Sequence, residues 1–259
     1  MELAGCVALV TGAAGTIGGA VAQRFAREGA RLVLADEDAA ALARLRQALA
    51  GAVERMECEA LDTASDRAMR ALVQRTVDRF GGIDVLVNAL GAPEESPWDE
   101  PGPGTWERRL RTLTACAVCC RAVAPEMVAR RRGRIVNVAA TAGRYRSAYF
   151  RPDGAAGSGL GSAAAGGGVL ALTRELAMEL GPQGVTVNAV VPGWILGERS
   201  SREWEALSDG VRRDILAEIS LGRPGRPEEV AGAVLFLAAD ASSYVSGCAI
   251  DVNGGWWMS

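Results

Sequence analysis

The 259-residue sequence contains no histidine, and none of its 28 basic side chains is a lysine; all are arginine. Each absence removes a class of chemistry. Without histidine there is no imidazole base near neutral pH and no imidazole metal ligand. Without lysine there is no amine for a Schiff base. Proton transfer is left to Asp, Glu, Tyr, Cys, a chain terminus, water or the substrate. Aromatic residues are scarce, at 5%. No apolar run reaches the roughly 18 residues of a membrane span, and the opening stretch MELAGCVALVTG reads as a first strand. Net charge is −3, so no basic field points to nucleic acid or to an anionic membrane. The expectation is a cytoplasmic protein with neither partner. Six cysteines are too few for a disulfide framework in a chain of this length. Cys116, Cys119 and Cys120 have helical spacing, but with no histidine and no fourth ligand nearby they read as helix packing. No metal is expected. The arginine-only, alanine-rich usage points to a GC-rich bacterial genome.

What is present is ordinary for a soluble globular protein: 49% hydrophobic and 23% charged residues. The length suits one large α/β domain over 1–259. Apolar runs of strand length lie at 6–11, 31–36, 53–59, 83–88, 133–139, 184–191 and 245–251. Helical periodicity fills 17–29, 38–50, 65–80, 105–130, 168–181 and 227–239. This alternation predicts a doubly wound, Rossmann-type, mainly parallel seven-stranded sheet with helices on both faces. Two segments break the rhythm. Residues 142–168 form an insertion carrying Arg144, Tyr145, Arg146, Tyr149, Arg151 and Asp153, then a Gly/Ala/Ser tract. The run Gly166-Gly167-Gly168 disfavours helix, and 154–168 is expected to be loose or reshaped unless a ligand orders it. Residues 193–222, with Trp194 and Trp204, are predicted to be a lid over the C-terminal edge of the sheet, where open α/β sheets bind ligands.

The turn Thr11-Gly12-Ala13-Ala14-Gly15-Thr16-Ile17-Gly18 follows the first strand and opens the first helix. Glycines there let the backbone approach a pyrophosphate favoured by the helix N-terminus. About 20 residues on, the second strand ends at Asp36, where a carboxylate accepts ribose hydroxyls and repels a 2′-phosphate. NAD(H) is therefore the expected cofactor in preference to NADP(H).

Further signatures follow in order: Asp62 after the third strand, then Asn88-Ala89-Leu90-Gly91, Gly133-Arg134-Ile135-Val136-Asn137-Val138 and Val187-Asn188-Ala189-Val190-Val191-Pro192-Gly193. The chain closes with Leu221-Gly222-Arg223-Pro224 and Asp251-Val252-Asn253-Gly254-Gly255. Together these resemble the classical short-chain dehydrogenase/reductase family over essentially the whole chain. The resemblance implies dinucleotide contacts from Gly12, Gly15, Thr16, Ile17, Gly18, Asp36, Asp62, Asn88, Pro192 and Gly193. It also implies a homodimer or homotetramer, with Trp256 and Trp257 in a subunit interface.

Departures from the family pattern concentrate where the family does its chemistry. Thr16 replaces the middle glycine of the first motif, and Ala89 the second Asn of Asn-Asn-Ala-Gly. The family's catalytic Asn, Ser, Tyr and Lys align with Thr112, Ala140, Ser162 and Gly166, and a Thr that contacts the nicotinamide amide aligns with Gly197. The stretch between Ala140 and Ser162 is longer than the family's usual spacing. Its Tyr145 and Tyr149 are the candidate replacement acids, since a neighbouring arginine favours a phenolate. Trp194 and Thr141 are candidate substrate contacts. The resulting expectation is a bacterial enzyme of specialised metabolism that abandoned hydride transfer for a cyclisation, isomerisation or dehydration of an apolar small molecule. Two alternatives stand beside it: a non-catalytic subunit that regulates a partner, such as an active homologue, and an NAD(H)-dependent oxidoreductase with a rebuilt site.

Overall fold

The computed structural model describes residues 1–53, 55–91, 104–145 and 159–258, with the side chains of 198, 199 and 203 excepted. Seven strands, β1 (Val7–Thr11), β2 (Arg31–Asp36), β3 (Met56–Ala60), β4 (Val85–Asn88), β5 (Gly133–Val138), β6 (Val185–Pro192) and β7 (Ala249–Val252), form one sheet in the order β3-β2-β1-β4-β5-β6-β7. Every neighbouring pair is parallel. The helices are α1 (Thr16–Arg27), α2 (Ala39–Ala48), α3 (Asp66–Phe80), α4 (Thr105–Ala129), α5 (Leu160–Leu180), α6 (Glu198–Ala206), α7 (Asp209–Glu218) and α8 (Pro227–Ala238).

Side-chain alternation along each strand divides the core in two. Ala8, Val10, Leu32, Leu34 and Val87 point to α1, α2 and α8, where Phe25 and Leu237 are fully buried. Leu9, Val33, Leu86, Ile135 and Val187 point to α3, α4 and α5. Strands covered on both faces are mostly apolar, which is why Val7–Val10 and Leu32–Ala35 read as unbroken Val/Leu/Ala runs. The long helix α4 has the length and composition of a membrane span, yet Cys116, Cys119, Cys120 and Val123 on it are buried against the sheet. These cysteines pack the core.

The glycine tract departs from expectation. Helix α5 begins at Leu160 and runs through Gly166, Gly167 and Gly168 without a break. Tertiary packing outweighs weak propensity here. A Cβ on Gly143, in the 3-10 turn Thr141–Gly143, would lie 2.2 Å from the backbone of Gly166 and Gly167. A Cβ on Gly168 would lie 2.5 Å from Leu113 of α4. The glycines admit close neighbours, and the contacts made there offset the roughly 1 kcal/mol each loses in helix propensity. The rest of the tract, 154–158, lies outside the described residues.

Candidate functional site

The strand order reverses between β1 and β4, and a cavity of about 570 Å³ opens at the C-terminal ends of the strands there. At one end it is lined by Gly12, Gly15, Thr16, Ile17 and Asp36. Gly12 has φ +67°, and a Cβ would sit 2.2 Å from the Ala89 carbonyl oxygen, so only glycine lets β1 turn into α1 beside β4. The Gly15 N-cap offers no side-chain cap and the first turn of α1 carries no acidic residue. The positive end of this 12-residue helix is thereby left to an anion in the cleft. Asp36 ends β2 half-buried, its carboxylate accepting from the Ala14 N–H at 2.9 Å and the Asp38 N–H at 3.0 Å. Arg111, from α4, is committed to Glu37 at 2.6 Å and Asp62 at 2.9 Å. A dinucleotide fits this donor set: backbone N–H groups for its pyrophosphate and a fixed carboxylate for its adenosine ribose.

The opposite end is built from small apolar groups. Ala139, Ala140, Ala142, Ala165, Gly166 and Val169 line it, with Pro192, Gly193, Trp194, Ile195 and Ser200 across the gap. Its hydroxyls are Thr112, which donates to the Gly91 carbonyl at 3.1 Å, Thr141, which donates to the Pro192 carbonyl, the buried Ser162, and Ser200, which donates to the Ile195 carbonyl at 2.7 Å. Asp36 and Asp38 are the only ionisable side chains among the described lining residues, and both lie at the far end.

Four residues read from the sequence as site groups sit elsewhere. Gly18 is buried under the turn, where a Cβ would lie 2.1 Å from the Gly12 carbonyl oxygen. Asn88 is a core residue. It donates to Asn137 at 2.9 Å and accepts from Thr11 at 2.9 Å, and Asn137 passes the chain on to Thr173 at 3.0 Å. Asp62 is held by Arg111. Tyr145, a candidate acid, does not line the cavity: its hydroxyl donates to Asp251 of β7 at 3.0 Å, beside Arg144 at 3.1 Å from the same carboxylate. That contact spans the insertion and the end of the chain, so nothing local in the sequence announces it. Tyr149 lies outside the described residues. Ser200 was not anticipated either; it accepts from the Gly197 N–H at 2.7 Å and donates to the Ile195 carbonyl at 2.7 Å, fixing the start of α6.

Behind the cavity the thiols are held neutral. Burial pushes Cys119 up to about 12, and Cys116 is raised well above a normal thiol by its hydrogen bond with Cys120 and by burial. The segment 193–222, which supplies Gly193, Trp194, Ile195 and Ser200 to the cavity wall, is anchored at both ends. Trp194 packs edge-on to Trp204 of α6 at 5.6 Å and tilted to Trp256 at 6.4 Å. Trp257 stacks on Tyr145 at 5.8 Å, so the two C-terminal tryptophans make contacts within the chain. At the exit, Arg223 grips Glu229 of α8 with two hydrogen bonds of 2.9 and 2.6 Å. With the Arg226 N–H, this holds the Glu229 carboxyl down at about 2.

Comparison with known proteins matches this architecture over its full length. The family model described as enoyl-(acyl carrier protein) reductase matches residues 12–257. The 3-oxoacyl-(acyl-carrier-protein) reductase FabG of Vibrio cholerae is 34% identical over 100% of both chains. The FabG reductase of Thermotoga maritima is 35% identical over 98% of this chain and 99% of its own. A solved short-chain dehydrogenase/reductase of Brucella melitensis, titled a glucose/ribitol dehydrogenase, superposes with a TM-score of 0.86 at 30% identity. It covers 100% of this chain and 99% of that one. These full-length relatives are named as reductases or dehydrogenases, which overturns the expectation of a non-redox rearrangement. The chain belongs to the short-chain dehydrogenase/reductase family.

Proposed function

We propose that the protein is an NAD(H)-dependent oxidoreductase that interconverts a carbonyl and an alcohol on an apolar small molecule, with a proton path rebuilt relative to its family. The observation that carries this is Asp36, whose carboxylate is fixed by the Ala14 N–H at 2.9 Å on the same cavity as the open N-terminus of α1. That pairing suits a dinucleotide with a free ribose and disfavours a 2′-phosphate. The bound dinucleotide supplies hydride exchange at its nicotinamide ring. The chain's own residues do the rest: α1 holds the pyrophosphate, Asp36 accepts the ribose hydroxyls, and the alanine wall with Trp194 keeps water from the apolar body of the substrate.

The family's Asn, Ser, Tyr and Lys correspond to Thr112, Ala140, Ser162 and Gly166, all of which line the cavity. A positioned general acid contributes roughly 10²–10⁴ in rate, so turnover is expected below that of relatives that keep the tyrosine and lysine. The Ser162 hydroxyl holds the substrate oxygen, whose proton exchanges with water or with Tyr149 of the insertion, while Thr141 stays tied to the Pro192 carbonyl. We further propose a homo-oligomer, supported by exposed Met178 on α5 and Trp106 on α4.

Calorimetric titration with NADH and NADPH is the first test, followed by NADH consumption against 3-oxoacyl thioesters and simple ketones. Micromolar NADH binding, tighter than NADPH, with slow turnover supports the reading. No binding at millimolar cofactor removes it. Tyr149→Phe then separates the proton sources, since solvent-derived protons leave its rate unchanged.

A further inference from the structure

Gly197, the N-cap of α6, has φ −127° and ψ −172°, an extended conformation open to any residue. Its backbone therefore does not require glycine. Its neighbour does. A Cβ at 197 would lie 2.2 Å from Thr16 Cγ2, 2.3 Å from Thr16 Oγ1 and 2.8 Å from Thr16 Cβ. Because Thr16 Cβ is itself too close, rotation about χ1 cannot clear the clash, and a β-branched side chain at the start of a helix has few rotamers to offer. Thr16 is the first residue of α1 and lines the cofactor end of the cavity. One side chain thus fills the space between the dinucleotide turn and the lid, and it comes from the turn.

The lid has further ties of its own. Ser200 fixes the N-terminus of α6 internally, Trp194 leans on Trp204 and Trp256, and Ile195 bridges to Gly225 near the Arg223–Glu229 pair. The Thr16–Gly197 contact joins the segment 193–200 to the first residue of α1. Thr16 also stands where the family has glycine and Gly197 where it has threonine, so the side chain has changed sides of the gap while the gap stays filled.

We propose that Thr16 is a positioning residue: its side chain is the seat on which the lid rests, and the exchange of volumes between 16 and 197 sets the lid height above the bound dinucleotide. This rests on the cofactor reading given above. Thr16→Gly opens a gap and Gly197→Thr creates a clash, whereas the double variant Thr16→Gly/Gly197→Thr restores one filled contact.

Two readouts on the full chain decide it. In the apoprotein, Gly197→Thr lowers the melting temperature by about 4 °C or more through overpacking, and adding Thr16→Gly recovers most of that. By calorimetry at a temperature where every variant is folded, each single variant weakens NADH binding roughly tenfold, and the double variant returns toward the parent. A residue that merely supports the fold would shift melting without shifting affinity. Additive effects in both cycles overturn the proposal, as does an affinity unchanged in all variants. If the parent itself binds no NADH, the proposed function falls. The positioning role falls with it, and the apoprotein melting cycle then decides only whether Thr16 and position 197 form one packed contact, which additivity removes.

Discussion

In the proposed function Asp36 is the carboxylate that receives the ribose, and two backbone N–H groups already set its orientation at that end of the cavity. Asp36→Ala is expected to weaken NADH binding roughly tenfold, the worth of a charge-assisted hydrogen bond, and to erase the preference over NADPH. Calorimetry of both cofactors checks this. The cysteines divide by environment in the same way. Cys248 is exposed, while Cys116, Cys119 and Cys120 are buried, and the Cys116 and Cys119 thiols are held neutral, Cys119 at about 12. Iodoacetamide on the native protein should label Cys248 first and leave the buried three untouched until denaturant is added, as peptide mass mapping would show. Glu229 gives a pH signature. Its folded value of about 2 lies below the ordinary 4.5, so its stabilisation is complete above pH 4.5 and fades as pH falls through about 2. Glu229→Gln is expected to cost about 1 kcal/mol near neutrality, and the melting difference from the parent should shrink towards pH 2.

At the scale of elements, α5 shows how far local propensity can mislead. Three consecutive glycines argue against a helix, yet Gly166 and Gly167 are the surface on which the turn Thr141–Gly143 rests and Gly168 receives Leu113. The positions are not equivalent. A Cβ on Gly167 would meet the Gly143 carbonyl oxygen at 3.4 Å, an ordinary contact, so Gly167→Ala should recover helix propensity worth about 1 kcal/mol. Gly143→Ala would press on backbone at 2.2 Å and should destabilise by about 2 kcal/mol. Thermal melts of the two variants should move in opposite directions. The regular elements were legible in the sequence because strands buried on both faces and helices buried on one leave plain apolar periods, as in Arg31–Asp36 and Asp66–Phe80. The start of α5 was not legible, since the partners that stabilise it come from the 3-10 turn and from α4.

For the molecule as a whole, the same distinction governs the site. Gly12, Gly15, Thr16 and Asp36 could be read from sequence because the turn is local and the second strand returns beside the first. Asn88 and Asp62 carried the right spacing but fold into the core network and a salt bridge. Tyr145 could not be placed, because its partner Asp251 is 106 residues away. One consequence of the lid's construction concerns observation rather than chemistry. Trp194, Trp204, Trp256 and Trp257, four of the six tryptophans, lie within 5.6 to 6.4 Å of a neighbouring indole across three separate chain segments. Most of the tryptophans of this protein therefore stand in one cluster that joins the segment 193–206 to the tail. Any displacement of the segment 193–222 from the tail would part these rings, so the emission of the unlabelled protein would register it.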